Sequence, residues 1–289
     1  MKKIYSILVA YNPDLEELNQ AVERLKKQTD IVIVCNNSDY DVEFEGEQVK
    51  VFNFGENLGI AKAQSIGMKW AFENGAEFIL QMDQDSIPHD DLVEKLVECY
   101  EELTEKGYKI GLVGSQDYDK DTKYLSKAKI DRGTTIESEC YIKINQVISS
   151  GSLIPIETYK IIGGMDDDLF IDAVDFEYCW RALSKGFIVV KNLESIIGHK
   201  LGNGISSFFN LKYISPSPIR HYYQFRNFIL LSKRNYVPFY WKISTFIKYL
   251  LSLIFLPFLF QQRVKRFNYM INGIYDGILG KKGSINNAK

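Results

Sequence analysis

Glu77-Phe78-Ile79-Leu80-Gln81-Met82-Asp83-Gln84-Asp85-Ser86-Ile87-Pro88-His89-Asp90-Asp91 is the stretch from which the rest of the chain is read. The apolar run Phe78 to Leu80, with Met82, predicts a buried strand that stops where two carboxylates, Asp83 and Asp85, appear one residue apart. In an extended segment, side chains at i and i+2 point the same way. Two anions held that close repel unless a cation sits between them, and hard divalent ions such as Mg2+ or Mn2+ take oxygen ligands and often bridge to phosphate. Such an ion would hold a diphosphate. Asp-x-Asp is also a common turn-like tripeptide, but ligands of open α/β sheets bind at the carboxyl ends of strands, which is where this one falls.

Upstream, Asn57-Leu58-Gly59 opens a segment with Ile60, Ala63, Gly67, Trp70 and Ala71 on one helical side, and Asn74-Gly75 closes it. Before it, Val49 to Phe52 and Ile31 to Cys35 predict strands, the second ending in the polar turn Asn36-Asn37-Ser38-Asp39. Ile4 to Val9 predicts the first strand. It follows Lys2-Lys3 but is too short for a secretory leader and runs into Tyr11-Asn12-Pro13-Asp14 without a small-residue cleavage site. Asp14 can cap a helix whose Leu15, Leu18, Val22 and Leu25 recur at helical spacing. Strand, helix, strand, strand, helix, strand is the rhythm of a parallel α/β sheet with right-handed crossovers.

Downstream, a helix from about Asp90 to Lys106 carries acids in its first turn, as the helix dipole favours. Ile110 to Gly114 predicts a strand, and Tyr118 to Gln146 a polar, strand-rich excursion. Val147 to Ile156 reads as a strand interrupted by Ser149-Ser150-Gly151-Ser152, where a backbone with little side chain can approach a ligand. Gly163-Gly164 breaks one helix, and another begins near Asp175 with Cys179, Ala182 and Leu183 along it. A carboxylate in a first helical turn is either a cap or a reacting group, the cap being commoner. Ile188 to Val190 and Ile196-Ile197 predict short strands before Gly198-His199-Lys200, and a lone histidine such as His199 is usually structural.

Charge divides the 289 residues. Residues 1–194 carry 36 Asp and Glu against 21 Lys and Arg, and residues 195–289 carry 14 bases against one acid, Asp276; the net charges are −15 and +13, summing to −2. That asymmetry signals two jobs. The scattered cysteines Cys35, Cys99, Cys140 and Cys179 suggest neither a disulfide framework nor a zinc site, and fit a reducing cytosol. Basic residues interleaved with aromatics beyond Ser195 can mean nucleic acid, yet the apolar run Tyr249 to Phe260 argues for an anionic membrane surface instead. Its 12 uncharged residues, Pro257 among them, fall short of the ~20 needed to span a bilayer. A core helix of a C-terminal bundle, a homo-oligomer interface and an interfacial helix pair all remain open for this run.

Val9-Ala10-Tyr11-Asn12-Pro13, Asn57-Leu58-Gly59-Ile60-Ala61-Lys62-Ala63-Gln64, Gln81-Met82-Asp83-Gln84-Asp85-Ser86, Ser150-Gly151-Ser152-Leu153-Ile154, Gly163-Gly164-Met165-Asp166, Phe170-Ile171-Asp172-Ala173-Val174-Asp175-Phe176-Glu177-Tyr178-Cys179 and His199-Lys200-Leu201-Gly202 occur in that order. Together they resemble the family-two GT-A glycosyltransferases, most of all the bacterial rhamnosyltransferases of surface-polysaccharide assembly. The resemblance covers roughly residues 4–235. It implies an α/β GT-A fold, a Rossmann-like, mostly parallel central sheet flanked by helices. The catalytic domain would span 1–212, with its nucleotide-binding part about 1–117 and its acceptor part about 118–212, and a basic, apolar helical extension would fill 213–289.

The resemblance further implies nucleotide contacts from Ala10, Tyr11, Asn36, Asn57, Lys62 and Asp83, and a divalent ion (Mg2+ or Mn2+) held by Asp83 and Asp85 and completed by His199. It makes Asp175 the catalytic base, with Asp172 and Glu177 at the acceptor. Two positions depart from the pattern. The Glu that often precedes the base is Val174, and the Asp that often contacts the nucleobase after the second strand is Cys35, so Asn36 or Asp39 can stand in. The expected reaction is inverting, metal-dependent transfer of L-rhamnose from dTDP-rhamnose onto a lipid-linked glycan. The site would be peripheral on the cytoplasmic face of the membrane, with no nucleic-acid partner. UDP-galactose or UDP-glucose as donor is the alternative, and an inactive glycan-binding module a remote one. A nucleotidyltransferase would need a basic, glycine-rich loop after the first strand, and Ala10 to Asp14 is neither.

Overall fold

The structure, a computed structural model, describes residues 2–119, 133–199, 205–208, 211–214, 217–259 and 262–285. In chain order these form β1 (Ile4–Ala10), α1 (Leu15–Leu25), β2 (Ile31–Asn36), β3 (Val49–Asn53), α2 (Ile60–Glu73), β4 (Phe78–Asp83), β5 (Ile87–Pro88) and α3 (Leu92–Glu105). There follow β6 (Ile110–Asp119), β7 (Thr134–Ile136), β8 (Ser138–Ile144), β9 (Ser152–Pro155), α4 (Ile156–Ile162), α5 (Val174–Ser184) and β10 (Ile188–His199). The hairpin β11 (Ile205–Phe208) and β12 (Leu211–Ile214) precedes α6 (Pro218–Ser232), α7 (Phe239–Leu259) and α8 (Arg263–Leu279).

The main sheet runs β3-β2-β1-β4-β9-β6-β10-β8-β7, with β5 paired to β10. Every ladder among β3, β2, β1 and β4 is parallel, as the alternation of strands and helices predicts. Beyond β4 the sheet is mixed: β9 lies antiparallel to both β4 and β6, while β6 and β10 are parallel. Of the expected 147–156 strand only Ser152–Pro155 pairs; the first five residues stay outside the ladder, and Gly151, at φ +74°, turns the chain into it. The two short strands expected near 188–197 form one long β10 instead. Its register shifts between Asn192 and Ile196, and Asn192 satisfies the irregular backbone there by accepting from the Glu194 N–H while donating to the Lys95 carbonyl. Within the polar excursion, 134–144 is stranded, and 120–132 lies outside the described residues.

Side-chain parity sorts the core into two layers. Leu8, Val34 and Leu80 pack with α1 and α3, whereas Ile7, Ile33 and Ile79 pack with α2 and α5. Parallel strands covered on both faces must be apolar on both, which is why β1, β2 and β4 read as continuous hydrophobic runs. Asp14 caps α1 by accepting from the Glu16 and Glu17 N–H groups at 2.9 and 3.1 Å.

The C-terminal helices pack both onto the sheet's core and onto a small cluster of their own, in which Tyr222 and Tyr223 of α6 meet Phe170 and Tyr269. Leu231 and Val237 join the cluster that holds Trp180 of α5, and Trp241 of α7 packs edge-on to Trp180 at 4.9 Å. Helix α8 lies close against α6, where Gly273 leaves no room for a side chain: a Cβ there would sit 2.4 Å from the Tyr222 carbonyl. Among the described residues no helix is long and apolar enough to cross a membrane.

Candidate active site

The same parity that builds the core selects what can face a ligand. Along β4, Ile79 and Gln81 point toward α2, where Gln81 approaches Met68, so Asp83 at the strand end points to the same side. A cleft of about 630 Å3 opens there, between the ends of β1 and β4, the start of α2 and the loop leading into α5. That volume suits a ligand larger than a single sugar.

Gln84, between the two aspartates, ties the strand ends together: it accepts from the Tyr11 N–H at 2.6 Å and donates to the Tyr11 carbonyl at 3.4 Å. Tyr11 is left half exposed on the cleft wall. The Asp83 N–H donates to the buried Ser150 hydroxyl at 3.2 Å, and Ser150 donates on to Ser86 at 2.8 Å, which fixes the loop carrying Asp85. On the opposite wall, Asn37 donates to the Gly59 carbonyl and accepts from the Leu58 N–H, docking the entrance to α2 against the end of β2. Gly59 has φ +85°, and a Cβ on it would meet Phe170 at 2.5 Å. Only glycine allows that approach.

The floor is the loop before α5. Phe170, Asp172 and Ala173 all have positive φ, at +64°, +69° and +63°. Conformations of this kind cost of order 1–3 kcal/mol each and persist only where surroundings impose them. Here α6 imposes them: Asn227 donates to the carbonyls of Leu169, Ile171 and Asp172 at 2.7–3.0 Å, and Arg226 to those of Asp168 and Leu169. Arg220 grips the Asp172 carboxylate through Nε and Nη2 at 3.1 and 2.9 Å. Burial pushes the Asp172 carboxyl above the usual range and Arg220 opposes it.

Asp175 is not the helix cap. Ala173 occupies that position without a side-chain bond, and Asp175 stands in the first turn with its carboxylate accepting the Phe176 N–H at 2.9 Å. Burial pushes its pKa up to about 7, and the Asp83 charge across the cleft pushes the same way. A carboxylate so placed is a base matched to neutral pH.

Of the residues expected at the site, Tyr11, Asn57, Asp83, Asp85, Asp172 and Asp175 line the cleft. Four do not. Ala10 and Asn36 fall on the opposite parity of β1 and β2; Asn36 is fully buried and spends its amide on the Tyr40 carbonyl and on Asn53. Asn37 takes the place expected of Asn36 or Asp39. Lys62 stands on the exposed side of α2, between the buried Ala61 and Ala63, and Gln64 lines the cleft instead. Glu177 is fully buried, bonded to Arg181, Arg234 and the Tyr236 hydroxyl, so it braces α5 and cannot reach an acceptor. The His199 backbone ends β10, where Gly198 pairs with Ile87 beside the Asp85 loop; its side chain lies outside the described residues. Ser149, in the stretch expected to approach a ligand, lines the cleft; Arg220, Gln84 and Phe170 were not foreseen there, and the 48 residues separating Arg220 from Asp172 leave no local signal.

No group of three His, Cys, Asp or Glu side chains that could hold a metal is gathered among the described residues. Asp83 and Asp85 nonetheless offer the hard oxygen donors that suit Mg2+ or Mn2+, ions that commonly take one or two carboxylates and complete their shell from substrate phosphates.

A Rossmann-like sheet with paired carboxylates at the end of its fourth strand and a buried carboxylate across the cleft is the arrangement of a GT-A glycosyltransferase. The chain belongs to glycosyl transferase family 2, whose family model matches residues 6–158. It is 33% identical over 292 residues to the dTDP-rhamnosyl transferase RfbF of Shigella flexneri, covering 97% of each chain. Among solved structures it is similar to that of S. aureus TarS, with a TM-score of 0.59 and 14% identity, over 96% of this chain and 49% of that one. It is also similar to the crystal structure of GalNAc-T7 with UDP, GalNAc and Mn2+, with a TM-score of 0.55 and 16% identity, over 74% of this chain and 45% of the other. The chain thus matches just under half the length of those two, and the likeness is one of fold.

Proposed function

We propose that the protein transfers L-rhamnose from dTDP-rhamnose to a hydroxyl of a lipid-linked glycan, with inversion at the anomeric carbon. The observation that carries this reading is the 33% identity over 97% of the chain to a dTDP-rhamnosyl transferase, in a chain whose Asp83 and Asp85 face Asp175 across one cleft. Tyr11 and Asn37 stand where the nucleoside would lie, and the loop from Phe170 to Ala173 closes the sugar end. Asp83 and Asp85 would hold the divalent ion, which when bound supplies positive charge to offset that gathering on the departing diphosphate. Asp175 takes the proton of the acceptor hydroxyl as that oxygen attacks. Direct displacement by the acceptor inverts the centre. Among the described residues no Cys or Ser with a base partner lines the cleft, and direct displacement needs none.

Hydrolysis of a panel of nucleotide sugars by the full-length protein tests the donor. dTDP-rhamnose should be consumed fastest, and preference for UDP-galactose or UDP-glucose would overturn the assignment. For the metal, calorimetry should show nucleoside diphosphate binding weakened by EDTA and by Asp85→Ala; affinity indifferent to both would remove the ion from the site.

The reading extends to location at the cytoplasmic face of the membrane. Ile243, Phe246, Ile247, Leu250 and Ile254 form one exposed stripe along α7, and Val264, Phe267, Ile271 and Ile278 are exposed on α8. A patch of that size, in a region of net charge +13, favours an anionic lipid surface over water. A second subunit is the competing occupant.

A further inference from the structure

Beside the donor cleft lies a smaller cavity of about 190 Å3, enclosed by the start of α5 and by α6 and α7. We propose that it is the subsite for the terminal sugar ring of the acceptor, an inference that rests on glycosyl transfer in the neighbouring cleft. The two cavities share Asp172, Ala173 and Phe176. A ring seated in the smaller one therefore has an edge at the mouth of the larger, next to Asp175, which precedes Phe176 in α5.

The walls suit a carbohydrate. Phe176, Phe228, Trp241 and Tyr249 supply aromatic surface, with Phe228 5.9 Å from Trp241 and 5.6 Å from Tyr249. Sugar rings present C–H faces that pack on aromatic rings, while their hydroxyl edges need hydrogen-bonding partners. Gln224, Thr245 and Lys248 provide such partners on the same cavity. Tyr249, on the same wall, stands beside the Asp172 carboxylate, so its hydroxyl lies at the polar side of the pocket. A purely apolar occupant would strand these groups, and Tyr11 and Asn37, at the nucleoside end of the donor cleft, line the larger cavity and not this one. The pocket is built from α6 and α7 as much as from α5, so acceptor choice is a property of the C-terminal helices.

Trp241 makes the subsite observable without turnover, since the chain has three tryptophans and only this one lines the pocket. Methyl glycosides of rhamnose, glucose, galactose and N-acetylglucosamine would be titrated into the full-length protein while its tryptophan emission is followed. At least one should give a saturable change. Tyr249→Phe, which removes a single hydroxyl, should weaken that binding roughly 2- to 10-fold. Thr245→Phe, which fills the cavity, should weaken it about tenfold or more and raise the acceptor KM alike, with dTDP affinity by calorimetry unmoved. The proposal is overturned if no glycoside perturbs the emission, if both variants bind glycoside as the parent does, or if dTDP is the ligand they lose. Should the parent hydrolyse no nucleotide sugar, the donor reading fails, and the titration still decides the pocket.

Discussion

In the proposed reaction, Asp175 concentrates the chemistry of the site in one ionisation. With its pKa pushed up to about 7 by burial and by Asp83, it is half protonated at neutral pH, and transfer should fall about tenfold per unit as pH drops below that midpoint. A cation bound at Asp83 offsets the Asp83 charge, so the midpoint of the metal-loaded enzyme should lie lower than that of the apoprotein. Asp175→Asn should lose about 10²- to 10⁴-fold in transfer while keeping affinity for dTDP; near-parental transfer would place the base elsewhere. The same group makes a stability prediction. Unfolded, an aspartate titrates near ~3.9, so between roughly pH 4 and pH 7 the folded state binds more protons and stability declines as pH rises. In EDTA, Asp175→Asn should therefore have a higher Tm than the parent at pH 8 and a matching one at pH 4. A difference independent of pH would show that Asp175 does not titrate in that window.

At the scale of elements, α6 is what makes the catalytic loop possible. Three left-handed residues in a run of four would relax if left to themselves, and Asn227 holds three of their neighbouring carbonyls at once. Asn227→Leu leaves those buried acceptors unpaired and should cost about 1–3 kcal/mol or more in urea unfolding, with kcat falling further than donor affinity as Asp172 and Ala173 relax. Loss of stability with kcat intact would mean the strained geometry is not needed for turnover. Helix α8 in turn supports α6. Gly273→Ala drives a methyl group into the Tyr222 carbonyl, backbone against backbone, and should destabilise by about 1–3 kcal/mol, since neither helix can yield by rotating a side chain.

For the whole molecule, the proposed membrane reading would make the two charge halves work together: the acidic part would bind donor and metal, and the basic, apolar part would meet lipid. Each basic residue near an anionic surface contributes about 1 kcal/mol, fading within a Debye length of roughly 10 Å. Sedimentation with anionic liposomes should therefore be firm, weaker with neutral ones and partly reversed by high salt. Cutting the chain before Val237 would strip Val237 and Trp241 from the core, so the sharper variant replaces exposed residues alone: Phe246→Ser with Leu250→Ser should reduce liposome binding and leave Tm nearly unchanged. If the parent ignores anionic liposomes, and the variant changes the sedimentation coefficient of a dimer instead, the stripe belongs to a subunit interface.

What the sequence determined by itself is whatever local periodicity and local chemistry encode. Apolar runs and helical spacing placed β1 to β4 with α1 and α2, because each pattern is complete within a few residues, and Asp83, Asp85 and Asp175 stand out because carboxylates are costly where apolar runs end. Strand parity even carries the reason why Ala10 and Asn36 turn away from the cleft while Tyr11 and Asn37 face it. Tertiary structure alone decided the rest. Glu177 is withdrawn from the site by Arg234 and Tyr236, Asp172 is held by Arg220, and the loop before α5 is bent by Asn227, each partner lying 48 to 59 residues away. A side chain's charge is written in the chain, but whether it faces water, a ligand or a buried counter-charge depends on groups that only folding brings within a few ångströms of it.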